Sequence, residues 1–379
     1  MAIQSKKEIG KIDLNKLKNL MNKIAGANVT EAAPVKEWIS LGSVVLDSMI
    51  CRGKVAGLPV GKIIELAGEE STGKSYFAIQ AARMAQLMGM LVIYLDAESA
   101  LDPEFVQRAG VDMDNNFIYI QTTSVEKTLE QIEAILDSVG TEHKILFIWD
   151  SLAATPVESD ASDFDPNSTV GVKARIMSKA LAKLAIPLYR NQATLLILNQ
   201  LKTYIPQKGE HPLAVEKYVT PAGKSMDYFA SLRIWLTKKK GSKHHAEDDE
   251  GNRIGSHVKV QLKKSRYGTE NRTCELQLMW SDQVYVREIH TILDIIRRSE
   301  YYSGGGAGWF TISSSSDKKY KLQGLSNFEN LYNDDLEFRN LILDILREEL
   351  IVKFEKRLGS HHDNDNITSE EKENIEEVE

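Results

Sequence analysis

Residues 68–75 read GEESTGKS, and this short run constrains the fold more than any other feature of the chain. It fits G-x-x-x-x-G-K-[S/T], the pattern of a loop that wraps phosphate groups between a strand and a helix. Gly68 and Gly73 are expected to open backbone torsions closed to other residues. Successive N–H groups of Glu69, Glu70, Ser71 and Thr72 would then face phosphate oxygens. Lys74 would reach the terminal phosphates, and Ser75 would ligate Mg²⁺. The flanks agree with this reading. KIIELA before the loop reads as a buried strand. SYFAIQAARMAQLM, opening with Ser75 and Tyr76, reads as a helix whose positive dipole end meets the anion. The pattern predicts a site for ATP and Mg²⁺.

The chain around the loop keeps the same alternation. Apolar runs at 63–67, 91–95, 117–120, 145–149 and 194–198 are separated by amphipathic stretches. Two of those stretches are Val125/Leu129/Ile132/Leu136 and Met177/Leu181/Leu184/Leu188. Strands apolar throughout, alternating with helices, predict an α/β fold with a mainly parallel central sheet covered on both faces. Runs at 231–237 and 258–262 flank the polar stretch KKKGSKHHAEDDEGN, which predicts a hairpin extending that sheet.

The ends are organised differently. Ile12, Leu14, Leu17, Leu20, Met21 and Ile24 predict a short helix over 10–25, followed by a linker over 26–35. So short a helix must pack on its own core or on a neighbouring molecule. Ile289, Ile292, Leu293 and Ile296 mark another helix; a GGG turn and GWF follow, and a further helix is predicted near 336–354. The expected division is a helix and linker at 1–37, an ATPase core at 38–287, a small C-terminal α/β domain at 288–358, and a disordered acidic tail at 359–379.

Charge matters only once it is located. The net charge is −7, yet residues 359–379 alone hold eight carboxylates and one lysine, so residues 1–358 balance to zero. A nucleic-acid partner is therefore not excluded by the overall acidity. No run approaches the roughly 20 apolar residues of a membrane helix, and MAIQSKKEIG lacks the apolar stretch of a signal peptide. Cys51 and Cys274 form no ligand-spaced pair, which argues against a zinc site or a disulfide framework and fits a reducing, cytoplasmic location. His244/His245 and His361/His362 are adjacent pairs in polar stretches, and adjacent residues seldom aim at one ion.

Three further positions complete the candidate site. The run ILFIWD ends at Asp150, where a carboxylate can hold Mg²⁺; a turn-capping aspartate is the plainer alternative. Many phosphate-loop ATPases place a glutamate immediately after that acid, but this chain has Ser151. The substitute is Glu98 in YLDAESALDP, as the base that orients and deprotonates water. Gln200 ends TLLILNQ and can hydrogen-bond a γ-phosphate, or simply satisfy strand-end backbone.

Together these segments resemble the RecA family of recombinases. GEESTGKS, YLDAESALDPEF, IWDSLAATP, GVKARIMSKALAKL, LNQ and PAGKSMDYFASLRI occur in that family's order and spacing across roughly 36–290, with a looser likeness around GAGWF. Divergent loops and KKSR at 263–266 are nearer to phage members such as UvsX. The resemblance implies a RecA-type phosphate-loop ATPase core that forms a helical filament on single-stranded DNA and pairs it with homologous duplex DNA. ATP would lie between neighbouring subunits. Mediator and single-strand-binding proteins are implied as partners. Glu98 matches the family's catalytic glutamate and Gln200 its γ-phosphate sensor. Phe105 matches an aromatic that stacks on adenine, and Asp102 a carboxylate near the base. Lys264 and Arg266 match cations that reach a neighbour's γ-phosphate, with Lys263 as the alternative register.

The same resemblance places two loops at the filament axis. The second, 201–220, is unusually long for a chain with little regular pattern. Lys202, Lys208 and Lys217 there can contact phosphates, and Tyr204 and Tyr218 can stack on bases. Arg175 and Gly223 match further DNA positions. The first loop, 157–170, carries Glu158, Asp160, Asp163 and Asp165, so side-chain attraction to phosphate is not its role. The N-terminal helix matches an element that packs on the adjacent protomer. The acidic tail resembles tails that repel duplex DNA, and a solubilising tail is equally consistent. A hexameric DnaB-like helicase and a KaiC-like regulatory ATP switch remain rival readings.

Overall fold

The computed structural model describes residues 35–50, 57–158, 171–204, 217–238, 245–248, 250–280, 284–314 and 318–352. The predicted N-terminal helix, the tip of the hairpin, Lys208, most of the first loop and the acidic tail lie outside them. Cys51, His244, His361 and His362 do so too. The described residues from Glu37 onward form one compact unit.

Strands and helices alternate from Glu37 to Gln200. The first half holds β1 (Trp38–Ile39), α1 (Val44–Ile50), β2 (Leu58–Pro59), β3 (Ile63–Gly68), α2 (Lys74–Leu87), β4 (Leu91–Asp96), α3 (Pro103–Arg108) and β5 (Phe117–Gln121). Then come α4 (Val125–Val139), β6 (Ile145–Asp150), α5 (Val172–Arg190) and β7 (Ala193–Gln200). The order β3-β7-β6-β4-β5 is parallel throughout, as the apolar runs predict. Side chains alternate across it. Leu146 and Ile148 face the layer containing α2, while Ile145, Phe147 and Trp149 face α4 and α5. The two stripes read from the sequence, Val125/Leu129/Ile132/Leu136 and Met177/Leu181/Leu184/Leu188, are all buried in that second layer. Ser124 starts α4 cleanly, its hydroxyl accepting from Lys127 N at 3.1 Å.

Coverage on both faces fails at β5. Ile118 and Tyr119 are exposed there, because the strand lies at the end of the sheet and has a neighbour on one side only.

On the other side of β3 the sheet turns antiparallel. After β8 (Lys202–Thr203), β9 (Tyr218–Val219) and α6 (Ser225–Phe229), strand β10 (Leu232–Lys238) runs parallel to β3. It pairs antiparallel with β12 (Arg253–Ser265), as the hairpin reading requires. A short strand that the sequence reading missed, β11 (His245–Glu247), also joins β12. Strands β13 (Thr273–Met279) and β14 (Tyr285–Arg287) finish this edge.

The C-terminal region comprises α7 (Ile289–Ile296), a small sheet of β15 (Tyr302–Gly304), β16 (Trp309–Ser313) and β17 (Lys319–Gln323), and helices α8 (Gly324–Asp334) and α9 (Leu336–Arg347). The expected helix at 336–354 is α9, which passes into a π turn at Glu348–Val352; α8 was not foreseen. One apolar layer runs without a break from α2 to Phe328, Phe338 and Leu346. A polar tie accompanies it. Half-buried Glu288 accepts hydrogen bonds from Ser43 Oγ at 2.6 Å, Val44 N at 2.8 Å and Val45 N at 3.0 Å, satisfying the start of α1.

Candidate active site

Register within the parallel sheet brings four chain-distant residues to one edge. Gly68 stands opposite Gln200, and Asp96 opposite Asp150, all at the carboxyl ends of their strands. This is where open α/β sheets take their ligands. A cleft of about 670 Å³ opens there, walled by Lys74, Ser75, Tyr76, Glu98, Phe105, Asp150 and Gln200, with the loop from Gly68 to Lys74 beneath.

The two loop glycines serve different needs. Gly73 has φ +84°, left-handed backbone that other residues avoid, and it forms the entry to α2. Gly68 does not have a positive φ, contrary to expectation. It is required for space, because a Cβ there would collide with Thr72 Oγ1. Thr72 Oγ1 donates to Glu69 O at 2.8 Å, closing the loop on itself. Lys74 Nζ donates to Glu69 O at 3.0 Å and Gly68 O at 3.3 Å. Burial pulls the Lys74 pKa down, opposed by the nearby carboxylates of Asp150, Glu98 and Glu70.

Asp150 is met by two hydroxyls, Tyr94 Oη at 2.5 Å and Ser75 Oγ at 3.0 Å. Burial pushes its pKa up, those two hydrogen bonds oppose the rise, and the charges of Glu98 and Asp96 add to it. The pair Ser75–Asp150 fits a hard divalent cation: both offer oxygen, and a buried acid with a raised pKa gains from a positive charge beside it.

Glu98 is held from two directions. Its carboxylate accepts a hydrogen bond from Ser151 Oγ at 2.5 Å. Its main chain is fixed by buried Asp96, which accepts from the N–H groups of Glu98 and Ser99 at 2.8 Å, Ala100 at 3.1 Å and Leu101 at 3.3 Å. Tyr119 Oη adds a further bond to Asp96 at 3.0 Å. Asp96 was not singled out from the sequence, and Ser151 was noted there only as standing where a glutamate is common. The available signal was an aspartate ending a strand before small residues, a common way to fold a turn around one carboxylate.

The other predicted residues divide. Phe105 lines the cleft, its ring 6.3 Å from that of Tyr76. The Tyr76 hydroxyl is buried and has no hydrogen-bonding partner within the described protein. Asp102 does not line the cleft; its carboxylate caps α3 by accepting from Glu104 N at 3.0 Å. Glu69 lies in the loop, but its side chain turns out of the cleft and accepts hydrogen bonds from Tyr218 and Lys238. Lys264 and Arg266 lie elsewhere, donating to the carbonyls of Asp227 and Tyr228 at the end of α6. Lys263 points the other way, 4.8 Å from the centre of the Trp235 ring.

Residues assigned to DNA form two groups. Exposed Lys202, with Tyr204 and Lys217, belongs to a small ribbon in which Lys202 pairs with Val219 and Thr203 with Tyr218. Tyr204 N donates to Lys217 O at 2.8 Å. The second loop is therefore zipped at its base rather than irregular from end to end. Exposed Arg175 is in the first turn of α5, and Gly223 (φ +56°) packs beside that turn next to Ala174. Val157, expected to open the first loop, is buried in the core. Beneath both groups, Arg233 Nε donates to buried Glu65 at 2.5 Å and Arg233 Nη2 to Thr220 Oγ1 at 3.1 Å. Asn199 Nδ2 meets Glu65 at 2.8 Å.

A phosphate loop at the switch point of a parallel sheet, with an acid ending the strand two places along and a second acid held at the same cleft, defines a P-loop ATPase. The family model for the RecA N-terminal domain matches residues 8–285. The chain belongs to the RecA family. It is 29% identical to Protein RecA of Desulforapulum autotrophicum, over 92% of this chain and 90% of the relative. Protein RecA of Chlorobaculum tepidum is also 29% identical, covering 82% and 83% of the two chains. Protein RecA of Staphylococcus carnosus is 28% identical, covering 82% and 81%.

Proposed function

We propose that this chain is a DNA-dependent ATPase that forms a helical filament on single-stranded DNA and catalyses homologous pairing and strand exchange in recombination and repair. The observation carrying the reading is the fixed position of Glu98. It faces the cleft across from Lys74, held by Ser151 on its side chain and by Asp96 on its backbone.

ATP binds with its phosphates along the loop from Gly68 to Ser75, where backbone N–H groups, Lys74 and the start of α2 supply positive potential. Ser75 and Asp150 would hold Mg²⁺, which would supply neutralisation of the phosphate charge. Glu98 accepts the proton of the attacking water, and Gln200 hydrogen-bonds the γ-phosphate. Phe105 and Tyr76 border the nucleoside. Lys264 and Arg266 sit away from their own protomer's cleft and act on a neighbour's, stabilising transition-state charge once subunits assemble. Lys202, Tyr204, Lys217, Arg175 and Gly223 contribute to the DNA site, with Lys208 assigned from its sequence position alone.

The finer assignments belong to this proposal as well: kinship to phage members such as UvsX on the segment 263–266, mediator and single-strand-binding partners, a cytoplasmic location, and the division at 37/38, 287/288 and 358/359. No helix among the described residues is long and apolar enough to cross a membrane.

The test is ATP hydrolysis with and without single-stranded DNA, with the same mixtures imaged by electron microscopy. DNA-stimulated turnover with helical filaments is expected. Translocating rings would replace the reading by a helicase, and the lack of any DNA effect would favour a regulatory switch.

A further inference from the structure

Glu69 belongs to the phosphate loop through its backbone and to another part of the molecule through its side chain. Its carbonyl accepts hydrogen bonds from Lys74 Nζ at 3.0 Å and Thr72 Oγ1 at 2.8 Å. Its carboxylate leaves the cleft. Oε2 accepts from Lys238 N at 2.7 Å, and Oε1 accepts from Tyr218 Oη at 3.0 Å. Tyr218 is on β9 and sits between that carboxylate and the buried face of Trp235, ring centres 6.4 Å apart. Its hydroxyl also accepts from Lys217 Nζ at 2.7 Å. A parallel link runs through the backbone: Leu201 N, just before β8, donates to Gly68 O at 3.0 Å. The ribbon bearing Lys202 and Lys217 is thus tied at two points to the first two residues of the phosphate loop.

A carboxylate in a loop built for polyphosphate carries the wrong charge for its place. It is tolerable only while donors hold it away from the phosphates. Tyr218 and Lys238 are those donors. A ribbon displacement that withdrew Tyr218 would free an anion next to the bound nucleotide. Nucleotide phosphates therefore favour the arrangement in which the ribbon is docked.

We propose that Glu69 is a positioning residue that couples the nucleotide cleft to the β8–β9 ribbon, so that ATP and a polyanionic strand gripped by Lys202 and Lys217 stabilise the same docked arrangement. The identity of the strand as single-stranded DNA rests on the function proposed above. Coupling of this kind is reciprocal, so either ligand must raise the affinity of the other by the same factor.

The experiment uses the full chain, a fluorescent ATP analogue and an oligothymidine strand. Nucleotide affinity is measured with and without the strand for the natural protein, Glu69→Ala, Glu69→Gln, Tyr218→Phe, and Glu69→Ala combined with Tyr218→Phe. The ratio of the two affinities is the readout. Glu69→Ala and Tyr218→Phe should each lower that ratio by roughly five- to tenfold. The double variant should be no worse than the single ones, because both remove one link. Glu69→Gln, which keeps an acceptor but loses the charge, should lower the ratio about as far as Glu69→Ala does; a natural ratio in Glu69→Gln would overturn the electrostatic coupling. A merely structural role would lower thermal stability, or weaken both affinities alike, and leave the ratio unchanged; that result overturns the proposal. If the natural protein shows no coupling at all, the DNA-dependent function fails and this proposal with it. If natural coupling survives in Glu69→Ala, only this proposal fails.

Discussion

As the proposed base, Glu98 has to keep its carboxylate in line with a water molecule, and its two supports act on different parts of it. Glu98→Gln preserves the shape and an acceptor for Ser151 while removing the base. DNA-stimulated turnover should fall by about 100- to 1000-fold with nucleotide still bound, measured as kcat beside an equilibrium binding assay. Loss of binding instead would give Glu98 a structural role. Ser151→Ala leaves the base in place but unsteered, and should lower kcat by roughly tenfold. Tyr76 offers a stability test, because its buried hydroxyl has no partner in the described protein. An unsatisfied buried polar group costs about 1–3 kcal/mol. Tyr76→Phe should therefore raise the melting temperature of the nucleotide-free protein, and a fall would reveal a partner for the hydroxyl.

At the scale of elements, the candidate site depends on how β3, β7 and β10 are joined beneath it. Glu65 of β3 is fully buried and meets Arg233 of β10 and Asn199 of β7. The same arginine also contacts Asp227 of α6 and Thr220. A single arginine thus fixes three elements around the base of the second loop. Arg233→Ala strands the Glu65 charge in the core and should cost about 3–5 kcal/mol in chemical denaturation. Pairing Arg233→Met with Glu65→Leu should recover most of that loss, since the stranded charge is gone. Recovery of DNA-stimulated turnover is not expected, because Thr220 would remain untethered.

The whole molecule brings two remote features into play. The first is the seam around α1, where Asp47 is buried and accepts hydrogen bonds from Ser40 Oγ and Leu41 N. Burial raises its pKa from 3.8 to about 8, the Ser40 and Leu41 bonds oppose the rise, and nearby Glu288 adds to it. Between those values the folded protein binds a proton that the unfolded chain has released. The contribution to stability is thus complete below about pH 4 and is lost as pH rises through about 8. Melting temperature should fall across that window, and Asp47→Asn should flatten the slope. An unchanged slope would place the titration elsewhere. The second feature is the distance of Lys264 and Arg266 from their own cleft. Replacing both with alanine should leave nucleotide binding by the isolated chain intact while abolishing turnover on DNA; normal stimulation would remove the shared site from the mechanism.

The chemistry of the phosphate loop and the class of fold were legible in the sequence because both are local. Residues 68–75 carry their own backbone and charge requirements, and strand and helix periods repeat within a few residues of each other. Asp150 and Gln200 were legible as strand ends and Glu98 as a residue just beyond one, and all three line one cleft at the carboxyl ends of the parallel strands. The tertiary structure decided what lies across long separations. Glu69 was read as a phosphate-loop residue through its backbone N–H; what the sequence did not show is that its side chain is claimed by Tyr218, 149 positions away. Asp102 is spent on a helix cap, and Lys264 and Arg266 on the end of α6. Ser151 looked like a missing glutamate and instead steadies Glu98, 53 positions earlier. Composition and spacing state what a side chain is able to bond; which partner reaches it first is set by packing, through contacts that no local pattern encodes.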